Sequence, residues 1–208
     1  MFEKNSPIWG DTAMKEDSRR VKMTKTLLHK GLIEALRDKP LDKITVTEIC
    51  DFADVNRSTY YSYFSDPFDQ IIQYEKSIGE SIRDQLEGVY QDNMSTQERC
   101  NSLFTAALKE LGEIKDDFKV LVSGKVDLSI VKGILNDFWE PVFFETRGSF
   151  DDLDITERYR FFYCASGCFM MISNWFTDDS GKSVSAEELA NMLTKFSMNC
   201  YNFEYEEK

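Results

Sequence analysis

The 208-residue sequence has few of the residues that interrupt helices. It also has no histidines and cysteines at the spacing of a metal site. Its 10 glycines and 4 prolines lie far apart, which favours long helices over strands and turns. His29 is the only histidine, and no two of the 5 cysteines form a CxxC pair. We therefore expect no metal site, no cofactor and no Ser-His-Asp or Cys-His catalysis, so the chain is interpreted as a non-enzyme. The odd number of cysteines indicates reduced thiols in the cytoplasm.

Long hydrophobic runs are also missing. The most apolar stretch, residues 161–176, is short for a bilayer span and contains Ser166, Ser173 and Asn174, so we interpret it as a buried helix. Residues 1–18 carry four carboxylates and no apolar run, so no signal peptide is expected. Residues 1–17 are interpreted as a flexible arm, and the sequence leaves open whether Met14 is the true start.

Positive charge is scarce, and it is unevenly distributed. The chain has 25 Lys and Arg against 37 Asp and Glu, a net charge of −12. Residues 19–65 nevertheless have a net charge of +3, whereas residues 66–208 have a net charge of −13. This distribution leaves one segment able to approach phosphate groups while the acidic remainder faces away.

Apolar residues recur at helical spacing along the chain, which predicts an all-α fold. A first helix over about residues 18–37 would bury Val21, Leu28, Leu32, Ala35 and Leu36. Further helices are predicted from Thr45, over 56–64, from Pro67, from Ser95, near 114–122, and over about 127–145, 154–176 and from Ser185. Capping boxes are expected at Thr45 and Glu48, Ser95 and Glu98, and Ser185 and Glu188. The predicted domains are a three-helix N-terminal domain over 18–65 and a helical body over 66–208.

Residues 45–64 have the pattern of a helix-turn-helix. Ile49, Ala53, Val55 and Tyr60 are placed to pack the angle between two short helices. The second helix then presents side chains that form hydrogen bonds, with Arg57 as the only charge, which suits a recognition helix in the major groove. The alternative is a plain helical hairpin with a polar surface, but Lys and Glu usually dominate such a surface.

The string "ITV…I…A…VNRSTYY.YF.D", from Ile44 to Asp66, resembles the TetR/AcrR family of transcriptional regulators. The resemblance is specific over about residues 19–75 and weaker over the body, where 165–175 and 185–189 are similar to the last two helices of that family. It implies a homodimer that binds a palindromic operator in double-stranded DNA and usually a small ligand in the body. By motif position, the side chains that would face bases are those of Arg57, Ser58 and Ser62. Those that would hold phosphates or groove edges are Thr45, Thr47, Thr59, Tyr61 and Tyr63.

Two positions depart from the family pattern. Asp54 stands where the turn usually has glycine, so a left-handed backbone is expected at a residue that adopts it at some cost. Pro67 stands where a lysine often lies near a phosphate, so one phosphate contact is expected to be missing.

The body is expected to hold the dimer interface and an effector site. The resemblance places the dimer seam on the last two helices, with candidate residues Gly167, Trp175, Leu189, Leu193 and Phe196. Candidate pocket residues for a largely apolar or aromatic effector are Trp139, Phe143, Tyr163 and Met170, for which ordinary core packing is the alternative. Cys164 and Cys168 share one helix face and are interpreted as buried thiols, with a redox switch as the alternative.

The sequence therefore predicts a DNA-binding transcriptional regulator, a homodimeric repressor released by a small-molecule ligand and not associated with a membrane. The alternative is a helical adaptor or coactivator of the same fold that acts through protein contacts.

Overall fold

A computed structural model describes residues 9–86, 94–126, 152–178 and 184–201. Within these ranges the chain is helical and contains no strand, which confirms the predicted all-α class. The helices are α1 (Trp9–Asp38), α2 (Val46–Ala53), α3 (Arg57–Tyr60), α4 (Pro67–Leu86), α5 (Thr96–Glu113), α6 (Lys115–Val120), α7 (Ile155–Thr177) and α8 (Ala186–Tyr201). The helix predicted over 127–145 lies outside the described residues.

The chain divides into two compact units between Ile71 and Ile72, six residues beyond the predicted domain boundary. The division falls inside α4, because this helix begins in the first unit and ends in the second. No described helix combines the length and the apolar character that crossing a membrane requires.

Helix α1 begins at Trp9, so residues 9–17 are helical although they were predicted as part of a loose arm. Residues 11–17 contain no proline or glycine, and extending an existing helix carries no nucleation cost. Val21, which was predicted to face inward, is 38% exposed, whereas Leu28, Leu32 and Leu36 are fully buried.

Four of the eight described helices begin at a capping box, and the sequence indicated three of these four. Thr45 with Glu48 and Ser95 with Glu98 form capping boxes before α2 and α5, as predicted. Ser185 and Glu188 exchange the same pair of hydrogen bonds before α8. Asp154 also forms a capping box with Glu157 before α7. Each of these boxes satisfies two backbone N–H groups that the first helical turn leaves without a partner.

The core of the first unit forms where α1 crosses α2. A Cβ atom built on Gly31 would lie 2.5 Å from the Ile49 carbonyl oxygen and 3.1 Å from the Ala53 Cβ. Only a residue without a side chain therefore permits this approach. Ile49 of α2 is fully buried, and Ala53 is 7% exposed.

In the second unit α5, α7 and α8 share a core. The buried side chains include Leu103, Phe104, Phe161, Leu189 and Leu193. The Asn101 amide of α5 donates to Asn191 Oδ1 at 3.0 Å and to Thr194 Oγ1 at 3.2 Å, both on α8. Phe118 of α6 contacts Phe176 of α7 with ring centroids 5.2 Å apart.

Candidate nucleic-acid interface

Helix α2 presents one buried face and one open face. The Thr45 hydroxyl accepts from the Glu48 N–H at 3.3 Å, and Glu48 Oε2 accepts from the Thr45 N–H at 2.9 Å. Lys39 adds an ion pair to Glu48, and its hydrogen bond, with those of Thr45, holds the pKa of the carboxyl at about 2. Thr45 and Thr47 remain exposed, whereas Ile49 is fully buried.

The turn after α2 depends on Asp54. This residue has φ 53° and ψ 44°, the left-handed conformation predicted for the position where glycine is usual. The conformation brings the Val55 N–H to the Cys50 carbonyl at 3.1 Å and ends α2. Asp54 is the only non-glycine residue with positive φ among the described residues.

Helix α3 is shorter than the predicted helix over 56–64. It spans Arg57–Tyr60 and continues as tight turns, in which Ser62 N–H donates to the Thr59 carbonyl at 3.2 Å. Asn56 stands at the helix start as predicted, but its side chain makes no capping hydrogen bond. Ser, Thr and Tyr have low intrinsic helix propensity, which explains why a regular helix does not continue.

Tyr60 and Phe64 fix the orientation of this segment. Tyr60 is fully buried, and its ring centroid lies 5.5 Å from that of Phe64. Phe64 also contacts His29 of α1 at 5.4 Å, and the Lys25 ammonium lies 5.6 Å from the Phe64 centroid. Burial, which is the larger effect, and the positive charge of Lys25 lower the pKa of His29 to about 4, so the ring is neutral at pH 7.

The anchored rings leave the predicted DNA-binding side chains at the surface. Six of them are exposed, namely Thr45, Thr47, Arg57, Ser58, Tyr61 and Ser62, and two are half-buried, namely Thr59 and Tyr63. The geometry therefore places all eight side chains on or near the surface of one unit, with hydroxyl groups and one guanidinium available to a partner.

The predicted dimer residues do not all lie at a surface. Leu189 and Leu193 are 4% and 0% exposed, because they pack in the core of their own chain, so this part of the assignment is corrected. Phe196 is 50% exposed, and Gly167 is exposed with no atom within 4 Å of a built Cβ. Trp175 is half-buried and donates from Nε1 to the Val184 carbonyl at 2.8 Å.

Two of the four predicted pocket residues lie on α7, and the other two cannot be placed. Trp139 and Phe143 lie outside the described residues, and Met170 is 52% exposed on α7. Tyr163 lines an open cleft of about 640 Å³ between α7 and α8, together with Tyr159, Arg160 and Cys200. Cys164 and Cys168 are buried, as the sequence interpretation favoured. No group of His, Cys, Asp and Glu in the described ranges is arranged to hold a metal ion.

Sequence reasoning passed over Glu75. Its side chain is 4% exposed on the apolar face of α4, and Oε1 has no hydrogen-bond partner among the described residues. Burial raises the pKa of this carboxyl to about 8. The signal was present in the sequence, because Glu75 lies in helical register with Ile71, Ile78 and Ile82.

No protein-family model matches the sequence, and a search of curated proteins finds no match. Solved structures do match. A TetR-family transcriptional regulator from Syntrophomonas wolfei has a TM-score of 0.61 and 13% identity, over 89% of this chain and 99% of that one. A TetR transcriptional regulator from Streptococcus agalactiae has a TM-score of 0.59 and 20% identity, over 89% of this chain and 98% of that one. The chain has the TetR-family fold.

The transcriptional regulator FadR from Bacillus subtilis, solved with stearoyl-CoA, is similar as well. Its TM-score is 0.55 at 16% identity, over 83% of this chain and 96% of FadR. The likeness thus extends well beyond the helix-turn-helix, and the TetR-family fold accounts for the helical body as well as for the first unit.

Proposed function

We propose that the chain is a DNA-binding transcriptional regulator that reads an operator through α2, α3 and the turn after them. The observation that carries the proposal is the exposed set of Arg57, Ser58, Tyr61 and Ser62 on a segment fixed by the buried Tyr60. A guanidinium can form two hydrogen bonds with guanine, while hydroxyl groups suit phosphates and base edges. The TetR-family fold supports the same assignment.

We further propose a homodimer built on the exposed apolar face of α7 and α8. Ile155, Tyr159, Tyr163 and Met170 recur at helical spacing along α7 and are 67%, 69%, 76% and 52% exposed. Phe196 of α8 is 50% exposed as well. A contiguous apolar surface of this kind is uncommon in a monomer and typical of an interface, and a two-fold dimer matches a palindromic operator.

The effector part of the proposal concerns the second unit. We propose that a largely apolar small molecule binds there and releases the protein from DNA, as a repressor would require. The stearoyl-CoA bound to FadR supports an effector role for a body of this fold. Linkage requires that operator DNA weaken effector binding by the same factor by which the effector weakens DNA binding.

The direct test is a gel shift of the full chain with the DNA upstream of its own gene, against a scrambled duplex of equal length and base composition. Preferential binding to the upstream DNA supports the regulator. If neither duplex is bound at low salt, the function as a DNA reader is refuted, and an adaptor of the same fold acting through protein contacts takes its place.

A further inference from the structure

The open cleft between α7 and α8 has the size of a ligand site. Its volume is about 640 Å³, and small-molecule sites span roughly 300–1,000 Å³. The lining includes Ile155, Tyr159 and Tyr163 of α7, which follow one another at intervals of four residues and are mostly exposed. Side chains four residues apart lie on the same side of a helix. Two phenol rings and one aliphatic side chain therefore form a wall of the cleft.

The described lining of the cleft also includes a cation, Arg160. This residue follows Thr156 by four residues on α7, and Asn199 and Cys200 line the cleft from α8. Burial, followed by interaction with Cys164, raises the pKa of the Cys200 thiol, whereas the positive charge of Arg160 acts in the opposite direction. The guanidinium is therefore close enough to act on a group that the opposite helix brings to the cleft.

This lining determines which chemistry the cleft can recognise. A guanidinium is planar and can form two parallel hydrogen bonds with a carboxylate or a similar oxyanion. Tyrosine rings pack favourably against other aromatic rings. Arg160 lies one residue after Tyr159 and three before Tyr163, so a ring attached to an anion on Arg160 is placed to pack against the phenols. The Thr156 hydroxyl and the Asn199 amide can donate to the same anion.

We propose that this cleft binds a small aromatic acid, with the acidic group on Arg160 and the ring against Tyr159 and Tyr163. The proposal rests on the effector role proposed above and gives that effector its chemical class. Ile155, Tyr159 and Tyr163 also belong to the proposed dimer face, so a bound ligand occupies surface that a second copy would cover. Binding should therefore favour the monomer, which can read only one half-site of a palindromic operator.

Two fluorescent probes that differ in one group test the site on the full chain. Anilinonaphthalene sulfonate is an aromatic acid, and phenylnaphthylamine has the same rings without the sulfonate. Arg160→Gln should weaken binding of the sulfonate about tenfold, because hydrogen bonds between charged groups are lost, and should change binding of the neutral probe by less than about twofold. The double variant Tyr159→Ala, Tyr163→Ala should weaken binding of both probes about tenfold, because both use the rings.

Lys195→Gln is the charge-matched control. Lys195 is exposed on α8 and lines a different depression, together with Met94 and Asn101. Its replacement should leave both affinities unchanged. Equal losses of the sulfonate in Arg160→Gln and Lys195→Gln, or equal losses of both probes in Arg160→Gln, would overturn the anion site. Circular dichroism of each variant verifies that the helices are intact.

Analytical ultracentrifugation with and without saturating sulfonate tests the link to assembly. A lower dimer fraction in the wild type, but not in Arg160→Gln, supports competition with the second copy, and an unchanged fraction in the wild type would overturn it. The gel shift separates this proposal from the proposed function. A chain that binds the upstream DNA but neither probe overturns the cleft alone, whereas a chain that binds the sulfonate but no duplex overturns the function as a regulator.

Discussion

At the scale of single residues, the segment from Arg57 to Phe64 contains two groups of side chains with different roles. Tyr60 and Phe64 are buried and hold the backbone, whereas Arg57, Ser58, Tyr61 and Ser62 are exposed and contribute little to the core. Substitutions in the two groups should therefore have separable effects, on stability for the first and on DNA binding for the second.

We expect Arg57→Ala to weaken operator binding by about 1–3 kcal/mol and to relax the preference at one base pair in each half-site, because a bidentate contact to guanine is lost. Competition titrations with operators that carry single substitutions measure the effect. Thr26→Ala, an exposed change on α1, serves as control. An equal loss on all sequences would reassign Arg57 to a phosphate, and no loss would refute its role in base reading.

His29 should make the folded state sensitive to mild acid. Its pKa is lowered to about 4 by burial and by Lys25, so the unfolded chain takes up a proton near pH 6.5 while the folded chain does not. The neutral His29 therefore contributes its full share to the free energy of unfolding above pH 6.5. This contribution, at most about 3 kcal/mol, is lost as the pH falls toward 4. Urea unfolding at pH 7 and pH 5 should show a drop that is smaller in His29→Gln. An unchanged drop in the variant would assign the acid sensitivity to other groups.

At the scale of helices, local chemistry explains what the sequence could predict. Capping boxes at Thr45, Ser95 and Ser185 are encoded within four residues, so these starts were predictable. The end of α3 was not, because no breaker lies at that boundary. Leu189 and Leu193 show a further difficulty. Periodicity identifies an apolar face, but it cannot distinguish a face that packs in its own chain from one that packs on a second copy.

The crossing of α1 and α2 should depend on Gly31. Gly31→Ala places a Cβ 2.5 Å from the Ile49 carbonyl, so the helices must separate, at an expected loss of about 1–3 kcal/mol in unfolding free energy. Gly112→Ala is the matched control, because a Cβ there meets no atom within 4 Å. We expect it to raise stability by up to about 1 kcal/mol, through helix propensity. Thermal or urea unfolding of both variants measures the difference, and equal effects would show that the crossing tolerates a side chain.

At the scale of the whole molecule, charge is unevenly distributed along the chain. Residues 19–65 carry a net charge of +3 and residues 66–208 one of −13, so the proposed DNA-reading segment and the body differ in sign. Electrostatic attraction should favour approach of a duplex by residues 19–65 and disfavour nonspecific contact by the acidic body.

The proposed dimer can be tested at Gly167. Gly167→Leu adds a side chain at an open position on the exposed side of α7, so the fold of one chain is preserved while a second copy is kept away. Analytical ultracentrifugation should show a shift from dimer to monomer, together with weaker operator binding, at an expected interface cost of about 1–3 kcal/mol. Gly112→Leu, equally open on α5, should leave the dimer intact. A wild-type protein that sediments as a monomer at micromolar concentration would refute the interface.

Helix α4 also determines where the chain can be cut. Gln70 is fully buried and donates to the Leu28 carbonyl at 2.7 Å, and Ile71 is fully buried as well, so both belong to the core of the first unit. A fragment that ends at residue 65 would lose this hydrogen bond and this apolar side chain, and would expose their partners on α1. An isolated N-terminal fragment for NMR spectroscopy should therefore extend beyond Ile71. The apolar residues of α4 that become exposed when the second unit is removed should be replaced by polar ones.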